Sequence, residues 1–101
     1  MDRLITNKTE LLIFLREHKN ELKDKFGIKN IALFGSFARD EQNEDSDVDI
    51  VIVDIEKKDY FNRINAKYFL EEQLKKSVDI GYLDSMRSFL RKRIEKEMIY
   101  V

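Results

Sequence analysis

A glycine–serine pair and two nearby aspartates are the residues of this chain whose types and spacing best fit a chemical task. Gly35-Ser36 is followed, after the spacer 37–46, by Asp47-Val48-Asp49. Side chains at positions i and i+2 of a strand point to the same face, so we expect the two aspartates to project together. Hard carboxylate oxygens suit Mg²⁺, which completes its shell with water and substrate phosphates. The aspartate pair therefore predicts a magnesium site.

Asp79 is a candidate third carboxylate. It lies between Val78 and Ile80 in a short apolar run that we expect to pair beside the strand of Asp49. If Asp79 faces the same side, three carboxylates converge. They could then hold two Mg²⁺ ions about 3.5–4 Å apart, which clamp the attacking and leaving oxygens of an in-line displacement. Asp79 is also a candidate to help deprotonate an acceptor hydroxyl.

The glycine–serine pair fits the binding of a nucleotide triphosphate. Gly35 lets the backbone approach a phosphate closely. The N–H groups that follow are expected to open a short helical turn, where free donors favour a phosphate. The Ser36 hydroxyl can donate to a phosphate oxygen, and Arg39, one turn later, offers a fork of donors.

Each of these features alone is weak evidence. A Gly-Ser after a strand is most often only a turn, an Asp-x-Asp is more often a solvated strand start, and Asp79 alone would pass for an exposed strand residue. The order of strand, Gly-Ser, spacer and acidic strand is far more specific. We therefore favour the functional interpretation.

Apolar runs predict the strands that must position these residues. The expected strands are Ile28 to Phe34, Asp47 to Val53 and Val78 to Leu83, with the tail Met98 to Val101 as a last short strand or a docking segment. The second run is apolar on both faces after Asp49, so we expect it to be central and covered on both sides.

Helical spacing of apolar residues predicts three longer helices. The first runs over residues 7–25 with Asn7 as its cap and Gly27 after its end, and His18 is expected to lie on its solvated side. The second begins after Asp59 and runs to about residue 76, with an apolar stripe of Tyr60, Phe61, Ile64, Tyr68, Phe69 and Leu74. The third begins at Asp84 or Ser85, with Met86, Phe89, Leu90 and Ile94 facing inward.

Composition limits the class of protein. The chain of 101 residues has a net charge of −1 and no cysteine. We expect a single domain over residues 1–101, with no disulfide framework and no zinc–cysteine site. The near-neutral charge argues against dedicated nucleic-acid binding. With no apolar run near the roughly 20 residues that span a bilayer and no secretory signal, we expect a cytoplasmic protein without membrane contact.

The chain resembles the DNA polymerase beta-like nucleotidyltransferase superfamily, and most closely its minimal nucleotidyltransferase family. The resemblance rests on the segments Gly35-Ser36-Phe37-Ala38-Arg39 and Ser46-Asp47-Val48-Asp49 and extends over nearly the whole chain. It implies an α/β (α+β) fold, a small mixed sheet flanked by helices. It also implies magnesium binding by Asp47, Asp49 and Asp79 and contact of Gly35-Ser36 with the triphosphate. Asp40 departs from the family pattern, which often has glycine there.

The family resemblance also implies a partner. Many minimal nucleotidyltransferases resemble antitoxins encoded beside a HEPN-domain RNase toxin, and they transfer AMP from ATP to a tyrosine of that toxin. A chain this short leaves little room for an acceptor-binding domain, so we expect a partner protein to present the acceptor. Two alternatives stay open: a non-catalytic antitoxin that acts by contact, and transfer to a small molecule such as an aminoglycoside, which usually needs a further domain. The nucleotide preference and the homo- or hetero-oligomeric state are left undecided.

Overall fold

A four-stranded mixed sheet forms the centre of the computed structural model, which describes residues 5–101. The strands are β1 (Ile28–Phe34), β2 (Val48–Ile55), β3 (Val78–Tyr82) and β4 (Ile99–Tyr100), in the order β3-β2-β1-β4. β2 and β3 are parallel, whereas β1 is antiparallel to both β2 and β4. This architecture confirms the expected small mixed sheet, including the short strand in the tail.

Five helices flank the sheet within residues 5–101. They are α1 (Lys8–Glu17), α2 (Lys19–Phe26), the single turn α3 (Gly35–Ala38), α4 (Tyr60–Leu74) and α5 (Ser88–Glu97). The parallel pair β2 and β3 needs a crossover connection, and α4 supplies it. Two of the predicted caps are confirmed, because the side chain of Asn7 accepts from Glu10 N–H and that of Asp59 accepts from Phe61 N–H, whereas neither Asp84 nor Ser85 caps the last helix. No helix within residues 5–101 has the length and apolar character needed to cross a membrane.

β2 lies between two apolar layers, as its sequence predicts. Val48, Ile50 and Ile52 are buried on one face, in the larger core that α1, α2 and α4 complete. On the other face Val51 packs with Ile94 of α5 in a smaller buried cluster. A strand covered on both sides has little freedom to shift, so the polar residues at its start are held in a fixed frame.

The prediction of one continuous first helix is wrong, because the helix is interrupted at His18. The ring Nδ1 and the backbone N–H of His18 both bond to the carbonyl of Phe14, at 2.9 and 3.2 Å. The ring stacks on Phe14, 4.2 Å between centroids, and its side chain is only 18% exposed. His18 therefore lies at a joint between two helices and packs on aromatic rings, which corrects the expected solvated position.

The last predicted helix begins later than expected. A 3-10 turn occupies Leu83–Ser85, and extended backbone at Met86 and Arg87 precedes the start of α5 at Ser88. This offset changes which side of the helix faces the sheet. Ile94 is buried as predicted, but Phe89 is 72% and Leu90 39% exposed, so the prediction that they face inward is wrong.

The apolar stripe predicted for α4 is confirmed for Leu74 and Phe69, which pack in the core, and is wrong for its other aromatic residues. The helix faces the sheet with Ala66, Leu70 and Leu74, which are spaced four residues apart and buried. Tyr60, Phe61 and Tyr68 lie away from that face and are exposed. Helices with apolar residues around most of their circumference do not reveal their buried side by composition alone.

Candidate active site

The register of three strands places the predicted site residues side by side at one end of the sheet. Asp49 of β2 lies opposite Asp79 of β3 and, on its other side, opposite Phe34, the last residue of β1 before Gly35. Register partners project to the same face of a sheet. The two carboxylates therefore share the face that α5 covers, as the spacing predicts.

The three aspartates differ in their exposure to solvent. Asp47 immediately precedes β2, which begins at Val48, one residue later than expected, and its side chain is exposed. Asp79 on the edge strand β3 is exposed as well, whereas Asp49 between them is half-buried. Asp49 is therefore the inner carboxylate of the site, with its two companions nearer to solvent.

Gly35 lies directly against Asp49. A Cβ atom at position 35 would lie 2.8 Å from Cγ and 3.0 Å from Cβ of Asp49, closer than side-chain carbons approach. The backbone of Gly35 also has φ +77°, a left-handed conformation that favours glycine. Any other residue at position 35 would both strain the backbone and displace the inner carboxylate.

The surroundings of Asp49 disfavour its charged form. Burial is the largest cause and the neighbouring carboxylates of Asp79 and Asp47 add to it, so the pKa of Asp49 rises from 3.8 to about 6. The Arg39 guanidinium opposes this shift, and Glu97 contributes to it. A bound cation would relieve the repulsion among these carboxylates, since an opposite charge within a few ångströms favours the ionised form.

The donor set fits Mg²⁺ in its chemistry. Carboxylate oxygens are its preferred protein ligands, and it typically takes only one or two of them. Within residues 5–101, no group of three or more His, Asp or Glu side chains is arranged to hold a metal ion by itself. Waters and substrate phosphates would therefore complete the shell of an ion held by Asp47 and Asp49.

The predicted phosphate-binding residues lie on and beside α3, at the end of β1. The hydroxyl of Ser36 makes no hydrogen bond to any residue of the described chain, so its donor is free for a ligand. Arg39 follows α3, and its Nε donates to Glu41 at 3.1 Å. Its Nη1 donates to both carboxylate oxygens of Glu97, at 3.2 and 3.0 Å. These two carboxylates raise the pKa of Arg39.

Sequence reasoning missed the position of Glu97. Along α5, Arg91 and Glu95 form a local ion pair at 3.5 Å, as residues four positions apart on a helix can. Glu97 instead reaches Arg39, 58 residues earlier in the chain, and also accepts from Gly35 N–H at 3.3 Å. No local pattern signals a contact over that separation.

Asp40 has a left-handed backbone conformation with φ +57°. Aspartate tolerates this conformation better than most residues, but glycine adopts it without strain. Lys8 forms an ion pair with Asp40 at 3.0 Å, which ties this turn to α1. The geometry would suit glycine, the residue that the family resemblance leads us to expect at this position.

Comparison with known proteins agrees with this geometry. A family model described as a nucleotidyltransferase domain matches residues 15–101. The protein adenylyltransferase MntA of Thermococcus cleftensis is 37% identical over 92 residues, which cover 91% of this chain and 93% of that protein. A Methanocaldococcus jannaschii protein, provisionally named protein adenylyltransferase MJ0126, is 39% identical over 94 residues, or 92% of this chain and 96% of its own.

Solved structures show the same fold. A provisionally assigned minimal nucleotidyltransferase superposes with a TM-score of 0.75 at 30% identity, covering 93% of this chain and 95% of the other. A chain from a crystal structure of a toxin–antitoxin with AMP-PNP gives a TM-score of 0.68 at 23% identity, over 94% of this chain and 72% of that one. At this lower identity the likeness concerns the fold alone. The sequence match and the shared architecture confirm the resemblance, and the chain belongs to the nucleotidyltransferase family, among the minimal nucleotidyltransferases.

Proposed function

We propose that this protein is a Mg²⁺-dependent protein adenylyltransferase, an antitoxin that transfers AMP from ATP to a tyrosine of a HEPN-domain RNase toxin encoded beside it. Asp47 and Asp49 bind the metal, and Asp79 completes a second metal position. Gly35, Ser36 and Arg39 hold the triphosphate. The observation that carries this proposal is the row of Gly35, which directly follows β1, Asp49 of β2 and Asp79 of β3.

The positions of these three residues place the two substrates on opposite sides of Asp49. α3 and Arg39 lie at the β1 side of Asp49, where the free Ser36 hydroxyl and the guanidinium suit the phosphates. Asp79 is exposed on β3, the edge strand of the sheet, so the acceptor can approach from that side. Nucleotide and acceptor then meet over Asp49, in the arrangement that an in-line displacement requires.

The reaction balances as a simple displacement. The tyrosine oxygen of the toxin attacks the α-phosphorus of ATP and forms the new phosphate ester. The bond from the α-phosphorus to the bridging oxygen breaks, and pyrophosphate leaves toward Gly35 and Ser36. The exposed carboxylate of Asp79 accepts the proton of the acceptor hydroxyl. Magnesium, when bound, supplies positive charge that stabilises the attacking and leaving oxygens.

Two findings support a toxin protein as the partner. The relative in Thermococcus cleftensis is named a protein adenylyltransferase, so its acceptor is a protein. Structural neighbours are toxin–antitoxin assemblies, one of them with the ATP analogue AMP-PNP and another named for MntA and HepT. The open side of the site at β3 leaves space for an acceptor presented by another protein.

A transfer assay tests the proposal. The purified protein is incubated with Mg²⁺, the product of the neighbouring gene, and ATP labelled on either the α- or the γ-phosphate. We expect label on the toxin from α-labelled ATP only, together with loss of its RNase activity. Asp47→Asn with Asp49→Asn should abolish the label, while Asp54→Asn, an exposed position of the same strand, should retain it.

The same assay separates the enzyme from a binding module. The protein would be shown to act by contact if the wild type transfers no label and the double variant still inhibits the toxin. Label that persists in the double variant would refute the assigned metal ligands. A toxin whose acceptor tyrosine is replaced with phenylalanine should stay active in the presence of ATP.

A further inference from the structure

Glu97 binds two groups of the proposed nucleotide site at once. Its Oε1 accepts from the Gly35 N–H at 3.3 Å, and both of its oxygens accept from Nη1 of Arg39, at 3.2 and 3.0 Å. Hydrogen bonds between ionised partners are roughly twice as strong as neutral ones. A single carboxylate therefore connects the end of β1 with the residue that follows α3.

The backbone that carries Glu97 is firmly anchored. Glu97 is the last residue of α5, and the next residue, Met98, donates its N–H to Ile94 at 2.8 Å. Ile99 and Tyr100 then form β4, which pairs with β1. With its side chain only 20% exposed, Glu97 has little room to swing away. It is placed as a fixed support and not as a mobile gate.

The contacts of Arg39 leave one part of its guanidinium available. Nε donates to Glu41 and Nη1 donates to Glu97, while Nη2 donates to no residue of the described chain. The guanidinium is planar, so fixing two of its nitrogens also fixes the direction of the third. Two carboxylates thus hold Arg39 in one orientation and leave two N–H donors for a ligand.

We propose that Glu97 is a positioning residue, which holds the backbone at Gly35 and orients Arg39 so that the remaining guanidinium donors face the triphosphate. This inference rests on the proposed function, because it assumes that Arg39 binds phosphate. Competition between this carboxylate and an incoming phosphate for the same donors would have the opposite effect on affinity. The two effects have opposite signs, so a binding measurement distinguishes them.

The binding test compares three variants with the wild type, using ATP and Mg²⁺ as the probe. Glu97→Ala should weaken ATP binding roughly tenfold, the order of loss found when the partner that orients a ligand-binding group is removed. Glu97→Gln keeps one acceptor and should lose less. Glu95→Gln is the matched control, because it removes a charge from the same helix without touching Arg39. Unchanged or tighter binding by Glu97→Ala overturns the inference.

A double-mutant cycle shows whether Glu97 acts through Arg39. If it does, Glu97→Ala should weaken ATP binding far less in an Arg39→Ala background than in the wild type. If the losses of ATP affinity from the two substitutions are fully additive, Glu97 does not act through Arg39 and that part of the inference is overturned. Urea unfolding of each variant identifies the concentration range in which all are folded, so a loss of stability is not mistaken for a loss of affinity.

A measurement without nucleotide tests directly whether Glu97 holds the Arg39 side chain in place. ¹⁵N relaxation should show the Arg39 Nε–H as rigid in the wild type and mobile in Glu97→Ala, with exposed Arg93 as the mobile reference. An Arg39 side chain as mobile as Arg93 in the wild type overturns the inference. Failure of the wild type to bind ATP refutes the proposed function together with it, whereas binding that needs Arg39 but not Glu97 refutes the inference alone.

Discussion

Replacing Asp49 with asparagine should make the metal-free protein more stable at neutral pH while it abolishes AMP transfer. Asp49 is half-buried and lies beside Asp79, so its ionised form is disfavoured in the folded state and its pKa rises from 3.8 to about 6. Asparagine has nearly the same shape and carries no charge. The substitution therefore removes an electrostatic penalty without opening a cavity.

The magnitude follows from the shift in pKa. A shift of about two units corresponds to an upper bound of roughly 3 kcal/mol, at about 1.36 kcal/mol per unit. Asp49 is only partly buried and solvent screens part of the repulsion, so we expect a gain of roughly 1–2 kcal/mol. Between the two pKa values the native state binds more protons than the unfolded chain, so the stability of the wild type falls as pH rises. The penalty is fully present only above about pH 6.

Urea unfolding with EDTA, at about pH 4 and about pH 7.5, measures this effect. The free energy of unfolding of Asp49→Asn should exceed that of the wild type at the higher pH, and most of the difference should vanish at the lower pH. Asp54→Asn, exposed on the same strand, is the matched control and should change little at either pH. The reasoning fails if Asp49→Asn is no more stable than the wild type at pH 7.5, or if its gain persists unchanged at pH 4.

Three further predictions test the site and the packing. Gly35→Ala should lose about 1–3 kcal/mol of stability, measured by urea unfolding, and most of the AMP transfer, measured by the labelled-ATP assay. Gly27 also has a positive φ, but a Cβ atom there would have no neighbour closer than 3.6 Å, so Gly27→Ala should lose stability only. Mg²⁺ affinity, measured by calorimetry, should fall as pH drops below about 6, since protons compete for Asp49; affinity independent of pH from about 5 to 7.5 would contradict its role as a ligand. Ile94→Ala should lower the free energy of unfolding by about 2–4 kcal/mol and Phe89→Ser by less than about 0.5 kcal/mol. Equal losses would contradict the orientation of α5.

The strands and the row of site residues were predictable because they depend on local patterns. Apolar runs bounded by polar residues mark β1, β2 and β3. The alternation of side chains then brings Asp49 and Asp79 to one face once the strands are paired. A glycine between a strand and a helical turn is likewise a local signal for Gly35.

Other features depend on contacts that no local pattern encodes. The inward side of α5 is set by two extended residues before its start, so Phe89 and Leu90 were assigned to the wrong side. At the joint, the ring of His18 contacts not only Phe14, four residues earlier, but also Phe69 of α4. Glu97 meets Arg39 only because β4 returns the end of the chain to the side of β1.

The parallel pairing of β2 with β3 has a consequence for the tolerance of this site to mutation. Val48 and Ile50 lie opposite Val78 and Ile80, and all four are buried on the face away from Asp49. A slip of one residue between the strands would bring Asp79 into that apolar layer and expose its neighbours. Evolution therefore need not maintain the alignment of the two carboxylates separately, because selection for a dry core on one face preserves the spacing of charges on the other.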